Sequence, residues 1–80
     1  MHKDSNGSVI YDTLDELLKQ KPLFIAEYSG YYYVKLKPEN DFDETMWKAN
    51  KQTGKVKLIH YMDYLEIEDN AKVLNARNIR

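Results

Sequence analysis

Along this 80-residue chain the spacing of hydrophobic and polar positions changes several times, and each change marks an element. Residues 1–8 carry Ser5, Asn6, Gly7, Ser8 and charged groups without apolar periodicity, which reads as a flexible tail with order beginning near Val9. Leu14, Leu17 and Leu18 then fall on one helical face, and Thr13 followed by Glu16 forms a capping-box signature. The pattern predicts a short helix over residues 13–20. Pro22 stops it, because proline lacks an amide proton and pushes the residue before it out of the α region.

From residue 23 to residue 36 the pattern is strand, turn, strand. With Ser29 and Gly30 as the turn, Tyr28 faces Tyr31, Ile25 faces Val34 and Leu23 faces Leu36. The last two pairs share one side of the hairpin, and Phe24, Ala26, Tyr31, Tyr33, Lys35 and Lys37 share the other. Residues 37–43, with Pro38, Asn40, Asp41 and Asp43, read as an acidic surface loop whose one apolar member is Phe42. A second hairpin comes next. Thr45, Trp47 and Ala49 alternate, residues 50–55 supply turn chemistry that includes Gly54, and Val56 and Leu58 alternate again, so Trp47 lies near Leu58.

Past His60, both the strand and the helix period find partial matches. Good helix formers from Met62 to Leu74 tip the reading towards a C-terminal helix, followed by a flexible C-terminus over residues 76–80. The expected architecture is therefore one small α+β domain over residues 9–75. Its antiparallel sheet consists of two consecutive β-hairpins with a short N-terminal helix and a C-terminal helix, and the helices cover one face.

Length and composition narrow this further. Eighty residues leave room for one thin core, and with no cysteine to cross-link it, packing or self-association must stabilise it. Seven tyrosines, two phenylalanines and one tryptophan can supply that packing, since each aromatic buries a large area. The cysteine-free composition, the polar N-terminus and the lack of a long apolar run lead us to expect a cytoplasmic protein with no membrane contact.

Net charge is −1, yet the charges come in blocks. Lys48, Lys51, Lys55 and Lys57 follow one another without an acid, between Glu39, Asp41, Asp43 and Glu44 on one side and Asp63, Glu66, Glu68 and Asp69 on the other. Together with Trp47 and Tyr61, this basic finger has the residue types of a single-stranded nucleic-acid surface, cations beside stacking rings. The plainer reading is that the lysines blunt an exposed sheet edge against aggregation. Tyr31, Tyr33, Lys35 and Lys37 form a second candidate, an aromatic and basic stripe suited to a protein interface if it is uncovered and to a second small core if it is not.

Catalytic and metal readings find little. Asp41 and Asp43 alternate as in a calcium loop, but the glycine and the terminal glutamate of such a loop are missing. His60 has neither a cysteine nor a second histidine outside the tail to share a zinc ion with, and no nucleophile motif or phosphate-cradling loop accompanies it. No catalytic residue, cofactor or metal is assigned. The leading expectation is a non-enzymatic module that binds another protein or itself through Tyr31, Tyr33, Lys35 and Lys37, of the kind common among bacterial and phage accessory or inhibitor proteins. The alternative is single-stranded nucleic-acid binding through Trp47, Lys48, Lys51, Lys55, Lys57 and Tyr61.

Overall fold

A computed structural model describes residues 2–7, 9–37 and 44–74. In chain order the elements are β1 (His2–Lys3), β2 (Val9–Ile10), α1 (Leu14–Leu18), β3 (Phe24–Tyr28), β4 (Tyr31–Lys35), β5 (Thr45–Asn50), β6 (Val56–His60), α2 (Tyr61–Leu65), a 3-10 turn (Glu68–Asn70) and β7 (Lys72–Leu74). Five strands form one antiparallel sheet in the order β6-β5-β4-β3-β7, while β1 and β2 pair with each other. The fold is α+β.

Local chemistry accounts for most of these elements. Thr13 caps α1, its Oγ1 accepting the Glu16 amide at 3.3 Å and donating to the Glu16 carboxylate at 3.2 Å. After the helix, Lys21 turns left-handed at φ 53° immediately before Pro22. Ser29 and Gly30, with φ of 50° and 85°, have the paired positive angles of a two-residue hairpin turn. The β3–β4 register is the expected one, with Ile25 opposite Val34 and Tyr28 opposite Tyr31. In the second hairpin Trp47 lies opposite Leu58, also as expected. Asn50 organises its turn, accepting the amides of Gln52 and Thr53 on its side chain and that of Gly54 on its carbonyl.

Three expectations need correction. The first concerns the C-terminal helix, which stops at Leu65 and gives way to the 3-10 turn and to β7. Glu68, Asp69 and Asn70 present no apolar face to continue a helix, and β3 has an open side that Lys72, Val73 and Leu74 pair with opposite Glu27, Ala26 and Ile25. The second concerns the start of the chain: His2 and Lys3 pair with Ile10 and Val9, and the His2 imidazole lies 3.1 Å from the Asp12 carboxylate. The third is the cover of the sheet, because both faces are packed rather than one. The acidic loop lies outside the described residues apart from Lys37, as does the C-terminus beyond Leu74.

On the first face Ile25, Val34 and Trp47 are buried with Leu17 of α1, and Ile10, Tyr11, Leu14 and Leu18 complete the layer. On the second face Ala26, Tyr33 and Met46 are buried with Tyr64 of α2, ringed by Phe24, Ile59, Tyr61, Ile67 and Ala71. The course of this second layer decides which part of the sheet stays open. β6 ends beside Thr45, away from the two hairpin turns, whereas β7 begins beside Glu27, next to them. The chain between them therefore crosses the second face diagonally and leaves one corner open, where β5 and β6 approach their turn.

Candidate functional site

That corner is built by strand alternation. Met46, Lys48 and Asn50 of β5 share the second face with Lys57 and Ile59 of β6, and Lys55 falls on the same side two positions before Lys57. Lys48 and Lys57 stand directly opposite one another. Their neighbour Asn50 donates its amide to the Lys55 carbonyl at 2.9 Å, which makes Lys48 and Lys57 the next hydrogen-bonded pair in the ladder. The Lys48 ammonium leans away from Lys57, 4.1 Å from the centre of the Tyr31 ring and 5.7 Å from that of Tyr33. Among the described residues no carboxylate pairs with Lys48, Lys55 or Lys57.

The two surfaces expected from the sequence are both regrouped. Of the first, Tyr33 and Lys35 are buried, each 6% exposed, because α2 lays Tyr64 over this face. The Lys35 ammonium donates to the Thr45 carbonyl at 2.8 Å. Tyr31 is half-buried at the turn end and Lys37 is exposed beyond the opposite end of β4, so the four residues form no continuous interface.

The second expected surface divides between the two faces. Trp47 is buried on the first face, edge-on to Tyr11 with ring centres 5.3 Å apart. Lys51 also sits on that side, 2.8 Å from the Glu27 carboxylate and 5.1 Å above the Tyr32 ring. Glu27 raises the Lys51 ammonium above the ordinary lysine range by accepting its hydrogen bond. Tyr61 packs on Tyr64 within the second core, ring centres 5.9 Å apart. What remains together is Lys48, Lys55 and Lys57, with Tyr31 at their margin. The signal was present in the hairpin register, since placing Trp47 opposite Leu58 also places Lys48 opposite Lys57.

His60 is held as a structural residue. Its Nδ1 accepts the Met62 amide at 3.0 Å, so the proton sits on Nε2, which donates to Glu44 at 2.7 Å. Asp63 accepts the His60 amide in return, completing a capping box for α2. Both ring nitrogens are engaged, and neither is placed to take a proton from a substrate. Among the described residues no group of three histidine, aspartate or glutamate side chains could hold a metal ion, and every buried side-chain nitrogen and oxygen has a hydrogen-bond partner. No helix among them is long and apolar enough to cross a membrane.

The sheet is thus packed between two layers, α1 on one face and α2 on the other, with one lysine-lined corner exposed. Compared with models of known families, with curated proteins and with solved structures, the chain matches none.

Proposed function

We propose that this chain is a non-catalytic binding module that docks another protein on the open corner formed by Lys48, Lys55 and Lys57. The observation that carries the reading is the Lys48–Lys57 pair. Like charges directly opposite across a sheet are destabilising, and here no carboxylate of the described residues relieves them. An anionic partner would relieve them on binding. The corner also departs from a plain solvated edge: Lys48 and Lys57 project from a sheet face, with the Lys48 ammonium over the Tyr31 ring, rather than along the backbone edge of β6. That edge is already occupied at both ends, where Asp12 accepts the Val56 amide and Asp63 the His60 amide.

Nucleic acid is the weaker reading. Sequence-tolerant binding of single strands needs exposed aromatic faces, and the rings expected to supply them are committed elsewhere: Trp47 to the first core, Tyr61 to Tyr64, and Tyr31 to the Lys48 ammonium. A net charge of −1 adds no general attraction for a phosphate backbone. We place the module in the cytoplasm, where a chain without cysteine is indifferent to reducing conditions, and a role as an accessory or inhibitor protein suits its small size.

Site-directed photo-crosslinking in the expressing cell tests this. A photoreactive residue at position 57 should trap one defined protein, and the same probe at position 51, on the opposite face, should not. The trapped protein, purified, should bind the wild-type chain and lose about tenfold in affinity towards a Lys48→Gln/Lys57→Gln double variant. Cross-links to nucleic acid alone, or equal trapping from both positions, would overturn the reading.

A further inference from the structure

Resting on that reading, we infer that the ligand of the corner is an extended acidic segment of the partner, with carboxylates at every second residue, lying along β6. The spacing of the cations carries the inference. Lys55, a bridge residue immediately before β6, and Lys57 within it lie two positions apart along extended chain, so their Cα atoms are about 7 Å apart, the same repeat that an extended peptide gives its own alternate side chains. Lys48 stands across the ladder from Lys57, about 5.5 Å away at Cα, and brings a second cation to the same point along the strand. One carboxylate of such a segment therefore meets Lys57 and Lys48 together, and the next meets Lys55.

The surroundings favour this ligand over others of the same charge. Asn50, half-buried on β5 two positions from Lys48, keeps its Oδ1 on the Gln52 and Thr53 amides and has its Nδ2 to donate to a carboxylate. The Tyr31 ring, covered by the Lys48 ammonium, is closed to a stacked base. The segment that follows β6 carries the exposed acids Asp63 in α2, Glu66 at its C-cap, and Glu68 and Asp69 on the 3-10 turn. Those carboxylates repel an anion that strays from the lysines, so the corner suits a narrow single chain better than a broad polyanionic surface.

The experiment measures fluorescence anisotropy of labelled synthetic peptides against the full chain, at about 50 mM and about 200 mM salt. One peptide carries glutamate at every second position between serines. A second has the same composition with its glutamates consecutive, and an oligothymidylate is the third probe. The alternating peptide should bind several-fold tighter than its isomer, weaken as salt rises, lose about threefold on Lys57→Gln and about tenfold when Lys48, Lys55 and Lys57 are all changed to Gln, and respond little to Lys51→Gln. Circular dichroism of the variants verifies that they fold.

Equal binding of the two peptides, lost in the lysine variants, would overturn the spacing argument while the proposed docking corner stands. Absence of binding to either peptide, with a protein still trapped at position 57, would also overturn this inference alone. Tighter lysine-dependent binding of the oligothymidylate than of either peptide would overturn the inference and the protein-binding reading together.

Discussion

His60 works through both ring nitrogens at once, and its roles separate by substitution. Nδ1 caps α2 by accepting the Met62 amide, while Nε2 donates to Glu44. Replacing His60 with alanine should cost about 1 kcal/mol in urea unfolding, whereas asparagine, which caps well, should recover most of that loss without restoring the contact to Glu44. Tyr64 is the other residue on which the second layer hangs, 3% exposed and in ring contact with Phe24, Tyr33 and Tyr61. Burial raises its hydroxyl above the ordinary tyrosine range, and the negative charges of Glu68 and of an ionised Tyr61 add to the shift. Above about pH 10 the unfolded chain therefore loses this proton more readily than the folded one. The stabilisation is complete below that pH and falls as pH rises towards the folded value. Stability measured from pH 8 upward should decline more steeply in the wild type than in Tyr64→Phe, and equal slopes would show that Tyr64 titrates as it does in the unfolded chain.

Among the elements, β6 and β7 show what pairing does to a strand with an open side. Because Lys48 and Lys57 repel across the β5–β6 ladder, Lys57→Glu should turn repulsion into attraction and raise stability by about 0.2–1 kcal/mol at low salt, while abolishing acidic-peptide binding. A gain in stability coupled to a loss of binding is the pattern expected of a site kept for its partner. In β7 the hydrogen bonds alternate from the hairpin turn outward. Tyr28 bonds to β4, so Glu27 and Ile25 turn towards β7 and pair with Lys72 and Leu74, leaving the Val73 backbone facing away. Val73, 65% exposed, should thus exchange its amide proton faster than Lys72 and Leu74. Similar protection of all three amides would mean that the outer side of β7 is covered in solution.

For the molecule as a whole, the two hairpins, the cap of α1 and the Trp47–Leu58 pairing were legible in the sequence, because each depends on residues close together in the chain. A two-residue turn sets the register of its own strands, and a capping box spans only a few positions. The same local logic puts Lys48 opposite Lys57 without any tertiary contact. The tyrosine stripe could not be read that way. Alternation places Tyr31, Tyr33 and Lys35 on one face, but whether that face meets water depends on what crosses it, and the covering Tyr64 comes from a distant part of the chain. The C-terminal segment misled for a related reason. Its helix propensity is worth a few tenths of a kcal/mol per residue, less than the open side of β3 offers a strand that can satisfy its backbone hydrogen bonds and bury Ala26 and Ile25. By itself the sequence determined α1, the two hairpins, their registers and the face on which each hairpin side chain emerges, since steric and hydrogen-bonding preferences act over a few residues. Only the tertiary structure decided that the segment from α2 to the 3-10 turn would cross the second face diagonally, burying two of the four residues of the expected interface and leaving the lysine corner open, because burial is set by contacts between segments far apart in the chain.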